Sequence, residues 1–303
     1  MSTDRVPGWS TRIHETAGDP GARITVAVAD RRTHPGDPTF IVAQGFKAWI
    51  EPFELQRFHL LAQTLRARVI IAETPGFGAA GSRLLPGERH PLLSGDFSPV
   101  ATRMFAAAVA ELDGETDRNL SFLGYSMGAS LVTAMVKDAA AQGWAVNSLV
   151  LVEPVALRKW SMWGLMAAVW REARWIADYL AANDAVDGAV APWDQRAGVR
   201  PAPRRRLDLL VLGAAIRRGA LAGDLQTVVT PRQVIIVRGD RSELSQAGCE
   251  AVMSALRERG VATAELNVPG HHAFWHSLPA VQDMAHRLNT VLDHPGPRAL
   301  SKP

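Results

Sequence analysis

Ser126 stands two residues after Gly124 and two before Gly128, at the end of an apolar, strand-like run and directly ahead of a helical pattern. A Gly-x-Ser-x-Gly sequence between a strand and a helix is a turn tight enough to hold its serine in a strained conformation. The glycines lack the Cβ atoms that would otherwise meet neighbouring backbone, and the hydroxyl is lifted clear of the sheet. The N–H groups that open the following helix point at negative charge developing beside that hydroxyl. Ser126 is therefore the candidate nucleophile.

A serine nucleophile needs a base within hydrogen-bond reach, an acid that orients the base, and donors for the oxyanion. In a parallel sheet these groups belong just beyond the carboxyl ends of the strands. His271 and His272 both qualify as the base, in the loop after the last strand-like run. The backbone N–H groups of Met127 and of Phe46, which follows Gly45 after an upstream strand, qualify as oxyanion donors. Carboxylates stand after two later strands, Glu153 after one and Asp240 and Glu243 after the next.

The elements that must position these groups follow an alternating rhythm. Segments 10–16 and 23–29 read as an antiparallel hairpin turning at Gly18-Asp19-Pro20-Gly21. The apolar run at 40–43 reads as a buried strand, and 68–72, 119–123, 148–152, 233–237 and 262–268 read as further strands. Helical patterns separate them at 51–66, 101–112, 127–141 and 246–259, and a last helix opens with Pro279 in its first turn. This alternation predicts right-handed crossovers, a mostly parallel central sheet and an α/β fold.

From Glu153-Pro154 onward the rhythm stops for some seventy residues. This stretch holds Trp160, Trp163, Trp170 and Trp175, and Met162, Met166, Val169, Ala173, Ile176 and Leu180 share one helical face. It reads as a helical insertion. Residues 157–222 carry eleven Lys or Arg against six Asp or Glu, so the positive charge of the chain is concentrated there. The expected organisation is a core from 1–156 and 223–295, an insertion at 157–222 and a disordered tail at 296–303.

With 303 residues, 47% hydrophobic and 21% charged, the chain has the balance of a globular protein with a sizeable core. One cysteine, Cys249, excludes an internal disulfide framework. The N-terminus lacks a signal-peptide pattern and no run of 18 apolar residues occurs, so the expected protein is soluble and cytoplasmic. A net charge of +3 without a nucleic-acid motif gives no reason to expect nucleic acid as a partner.

The span from about 24 to 293 resembles the α/β-hydrolase superfamily. Gly124-Tyr125-Ser126-Met127-Gly128 resembles its nucleophile elbow, and Gln44-Gly45-Phe46 its His-Gly-hydrophobic oxyanion turn. Pro75-Gly76-Phe77-Gly78 matches its Pro-Gly-aromatic-Gly loop, and Pro269-Gly270-His271-His272, ahead of Pro279, matches its terminal Gly-His loop. The resemblance implies that fold, with 157–222 as a helical cap or lid. Its spacing favours His272 over His271 as the base. For the acid it favours Glu243, in Arg238-Gly239-Asp240-Arg241-Ser242-Glu243, then Asp240, with Glu153 third. Two departures stand out: Gln44 replaces the usual histidine, and Ser242 occupies the usual acid position.

The resemblance implies a serine hydrolase of the esterase type: Ser126, His272 and Glu243 catalytic, Phe46 and Met127 as the oxyanion hole, and no metal or organic cofactor. The expected substrate is a carboxylic ester of a moderately apolar small molecule. A thioesterase, a carbon–carbon bond hydrolase and a non-catalytic binding protein are the alternatives. The Trp/Met-rich insertion would either line an apolar acyl pocket or pack onto the core, and Arg204-Arg205-Arg206 would meet an anionic substrate or face solvent. The Trp helix is also of the type that contacts a membrane surface, without stable insertion.

Overall fold

The computed structural model describes residues 7–15, 19–76, 78, 81–196, 205–228, 231–245 and 248–293. The N-terminal half begins with strands Ser10–His14 (β1), Ile24–Asp30 (β2) and Thr39–Ala43 (β3), helix Pro52–Thr64 (α1) and strand Arg68–Ala72 (β4). Helices Pro86–Ser94 (α2) and Ser98–Val109 (α3) lead to strand Asn119–Tyr125 (β5), helix Gly128–Ala141 (α4) and strand Ala145–Val152 (β6). Four helices follow: Met162–Ala173 (α5), Ile176–Ala181 (α6), Arg206–Arg218 (α7) and Leu221–Thr227 (α8). The chain then returns to strand Gln233–Gly239 (β7), helix Cys249–Glu258 (α9), strand Ala262–Val268 (β8), a 3-10 turn at His272–His276 and helix Leu278–Asp293 (α10).

The eight strands form one sheet in the order β1-β2-β4-β3-β5-β6-β7-β8. β2 runs antiparallel to both neighbours, and every other pairing is parallel. The expected hairpin is β1-β2, although residues 16–18 of its turn lie outside the described residues.

Parallel strands covered on both faces must be apolar at every position, because alternate side chains serve opposite layers. The central strands obey this rule. Ile41, Phe122, Leu149, Leu151, Val234 and Ile236 enter the core layer under α3, α4 and α9, whereas Phe40, Val42, Leu123, Val150, Ile235 and Val237 enter the layer under α1 and α10. Near-continuous apolar runs are therefore what made these strands legible.

Two features depart from the sequence reading. The stretch between Gly78 and the helical pattern at 101–112, where the sequence signals no element, contains α2, which opens on Pro86 and whose Glu88 carboxylate accepts the Leu85 N–H at 2.7 Å. Pro91 interrupts its pattern and masks it in the sequence. The single helical face read from Met162 to Leu180 is broken at Arg174–Trp175 into α5 and α6, and most of it is turned away from the core.

The segment between β6 and β7 is fastened to the rest of the fold by buried polar contacts. Asp208 of α7 accepts the Leu84 N–H and an Arg89 guanidinium N–H, each at 3.1 Å. Asn183 donates to the His276 carbonyl at 2.9 Å and accepts the Leu278 N–H at 2.6 Å. Residues 197–204, including Arg204, lie outside the described residues, as do Phe77 and the 296–303 tail. Arg205 and Arg206 are exposed. No described helix is long and apolar enough to cross a membrane.

Candidate active site

β5 delivers Ser126 with φ 56°, a left-handed conformation that a non-glycine residue adopts at a cost of order 1–3 kcal/mol. The turn is over-determined by its surroundings. A Cβ on Gly124 would lie 2.4 Å from the Gly128 carbonyl oxygen, and one on Gly128 would lie 2.1 Å from the Ala43 carbonyl oxygen. Only glycine lets α4 start this close to β3 and β5. The Ser126 N–H donates to the Val152 carbonyl at 2.8 Å, so the elbow remains tied to the sheet.

Glu153 repeats this arrangement one strand over. It follows β6, has φ 54°, and its N–H donates to the Val237 carbonyl at 2.7 Å. Because Tyr125 pairs with Val152 in the ladder, the residues after β5 and β6 emerge side by side. The Glu153 side chain is fully buried and accepts three hydrogen bonds: from the Gly239 N–H, from Ser242 Oγ at 2.5 Å, and from His272 Nδ1 at 2.8 Å. A buried carboxylate is stable only when so satisfied.

His272 stands at the start of the turn after β8, with Nε2 3.1 Å from Ser126 Oγ. Donation from Nδ1 to Glu153 fixes the tautomer that leaves Nε2 free to accept the serine proton. The backbone around the ring is also held. Its N–H donates to Glu172 of α5 at 2.9 Å, and its carbonyl accepts the Tyr125 hydroxyl at 3.0 Å. Tyr125 stacks on both His272 and Trp275, and burial, with Glu153 adding to it, pushes its phenol well above the usual range. Arg57 of α1 donates to the Phe53, Trp275 and His276 carbonyls, clamping the turn from below; burial lowers its guanidinium to about 10.

The other sequence candidates fall elsewhere. Glu243, expected as the acid, is half exposed and pairs with Arg171 of α5 at 2.6 Å, which holds its carboxyl below the usual range. It does not meet His272. The Ser242 N–H bonds back to the Gly239 carbonyl at 3.1 Å, and this turn carries Glu243 away towards α5. Asp240 accepts the Gly270 N–H at 2.8 Å and braces the histidine loop. His271 stacks face to face on Trp175 at 4.3 Å, and its N–H donates to the Tyr179 hydroxyl.

The oxyanion-turn candidates lie against the elbow. A Cβ on Gly45 would be 2.8 Å from the Tyr125 ring and 3.5 Å from Ser126 Cβ, so the chain passes directly beside Ser126. Ala48 N–H closes this turn onto the Gly45 carbonyl at 3.1 Å, and the Gln44 side chain donates to the Trp49 carbonyl at 3.0 Å. Gln44 thus shapes the turn in which Phe46 sits. Met127 is buried immediately ahead of α4.

Sequence reasoning ranked Glu153 last and missed Glu172 and Ser242 as participants in this network. A carboxylate abutting the run Leu149-Val150-Leu151-Val152 was the available signal for Glu153, since a charge there requires buried partners. Among the described residues no group of three His, Cys, Asp or Glu side chains is arranged to hold a metal ion.

No protein-family model matches the chain, and no curated protein matches it. Solved structures do. A thioesterase domain from the curacin biosynthetic pathway aligns with TM-score 0.56 at 16% identity, covering 94% of this chain and 98% of that one. An arylesterase aligns with TM-score 0.57 at 20% identity, over 96% and 86% of the two chains. A hyperthermophilic esterase from Pyrobaculum calidifontis aligns with TM-score 0.59 at 14% identity, over 95% and 86%. With this strand order, the mostly parallel sheet and these neighbours, the chain has the α/β-hydrolase fold.

Proposed function

We propose that the protein is a serine hydrolase that cleaves carboxylic esters of moderately apolar small molecules. The observation that carries this reading is the continuous hydrogen-bonded chain Glu153–His272–Ser126 at the carboxyl ends of β6, β8 and β5. Ser126 Oγ attacks the ester carbonyl while His272 Nε2 takes its proton. The Phe46 and Met127 amides stabilise the resulting oxyanion. Glu153, buried and held by Gly239 and Ser242, stabilises the imidazolium that forms. The imidazolium protonates the leaving alcohol, and water attacks the acyl-enzyme with His272 again as base.

Residues 157–222 act as a cap over this site, with Glu172 of α5 holding the His272 backbone. The esterase and thioesterase neighbours support ester or thioester chemistry at the level of the fold. The test is labelling with a fluorophosphonate followed by a turnover screen of esters and thioesters of graded chain length. Labelling that disappears in Ser126→Ala, with esters turned over faster than matched thioesters, is the expected result. A native protein that is not labelled would reject the hydrolase reading in favour of a binding protein.

A further inference from the structure

α5 presents its most apolar side to solvent. At 100° per residue, Met162, Trp163, Met166, Val169 and Trp170, with two alanines, fall within an arc of about 160°. Trp163 is 79% and Trp170 68% exposed, and Met162, Met166 and Val169 are exposed too. The opposite side buries only Ala168 and Glu172, the latter bonded to the His272 N–H. An amphipathic helix normally turns this pattern inward. Here the core-facing side carries the carboxylate, and the outward side is a continuous ridge of large apolar groups.

The charges around the ridge say what kind of surface it meets. Arg158 and Lys159 precede its N-terminal end, and Arg171 and Arg174 flank its C-terminal end, against Glu243, which is paired with Arg171, and Asp178 of α6. Arg174 lies over the Trp170 ring. The exposed arc itself contains no acidic residue, and residues 157–222 together carry a net +5. A second copy of the chain would bring this basic rim against itself. A convex single-helix ridge also offers no groove for a partner to fill, whereas a lipid interface accepts such a ridge without shape complementarity. Tryptophan and methionine enter the acyl boundary while arginine and lysine reach anionic headgroups.

We propose that α5 is a membrane-docking helix that lies on anionic phospholipid surfaces, with Trp163, Met166 and Trp170 as its anchors. At 12 residues it rests in the interface and does not span it. Docking in this orientation leaves the buried side of α5, and through Glu172 the histidine loop, directly behind the lipid-facing ridge.

The experiment uses the full chain carrying Ser126→Ala, so that binding is read without hydrolysis and independently of the proposed activity. It measures co-sedimentation with vesicles of equal parts phosphatidylcholine and phosphatidylglycerol, and with phosphatidylcholine alone. The mixed vesicles should bind the protein, and binding should fall severalfold on pure phosphatidylcholine or when about 1 M salt shortens the screening length to about 3 Å. The combined Trp163→Ser, Met166→Ser and Trp170→Ser variant should bind about tenfold more weakly, while with Ser126 restored it turns over a water-soluble short-chain ester as the native chain does. Quenching of tryptophan fluorescence by brominated phospholipid, reduced in Trp163→Ser and lost in the triple variant, gives an independent readout. Absence of sedimentation with either vesicle, or equal sedimentation of native and triple-variant chains, would overturn the proposal. So would a dimer in light scattering that the triple substitution converts to monomer, because the ridge would then belong to a second copy.

Discussion

Glu153 Oε2 lies 2.8 Å from His272 Nδ1 although 119 residues separate the two in the chain. Glu243, only 29 residues before His272 in sequence, is bound instead to Arg171. Which carboxylate meets His272 is thus decided by which strand end faces the histidine, and under the proposed mechanism this has a kinetic consequence. Glu153→Gln keeps the shape but cannot fix the imidazole tautomer or balance its charge, and kcat should fall about 10³–10⁴-fold. Glu243→Gln should change kcat by less than about threefold, as expected for an exposed ion pair. Steady-state turnover of one ester by both variants checks the assignment; comparable losses would sink it.

The two elbow glycines should not tolerate a side chain. Gly128→Ala places a methyl 2.1 Å from the Ala43 carbonyl oxygen and 2.8 Å from that of Gln44, both backbone atoms that cannot turn aside. A loss of about 3 kcal/mol in unfolding free energy is expected. Gly213→Ala in α7, where nothing lies within 4 Å of the new methyl, should stabilise by about 0.5–1 kcal/mol. Urea unfolding of the pair provides the measurement, and equal effects would reject the packing argument.

Glu172 joins α5 to two site loops, accepting the His272 N–H at 2.9 Å on one carboxylate oxygen and the Glu243 N–H at 2.7 Å on the other. Glu172→Gln retains one acceptor and should lower kcat about threefold, whereas Glu172→Ala strands two buried N–H groups and should lower it about thirtyfold. KM for a short ester should change little in either. A larger effect on KM than on kcat would mean that Glu172 acts on substrate binding rather than on the histidine.

His276 gives stability a pH dependence. Burial, and next the positive charge of Arg57, bring its imidazole down from 6.5 to about 3. Between those values the unfolded chain holds a proton that the folded chain refuses. Stability contributed by neutral His276 is complete above pH 6.5 and is lost as pH falls towards 3, at up to about 1.4 kcal/mol per pH unit. His276→Phe, which preserves the stack on Phe53, should flatten the urea midpoint between pH 6.5 and 4 relative to the native chain. An unchanged slope would show that other groups carry the acid sensitivity.

Local patterns made most of the architecture readable. Strands buried on both faces must be apolar throughout, so the central strands announced themselves, and the glycine spacing around Ser126 encoded an elbow that only glycines permit. His272 was legible because it belongs to a short loop at a fixed place after the last strand. The sequence by itself therefore determined the sheet and the placement of Ser126 and His272 beyond its strand ends, each through constraints acting within a few residues. The choice of Glu153 over Glu243 depended on lateral register, since only the pairing of Tyr125 with Val152 sets residue 153 beside residue 126. The outward roll of α5 was likewise not legible in the sequence; it accompanies the contact of Glu172 with the His272 N–H, made across 100 residues. Such choices are made by the assembled sheet and its buried hydrogen bonds, because a buried carboxylate is stable only where its partners are in place.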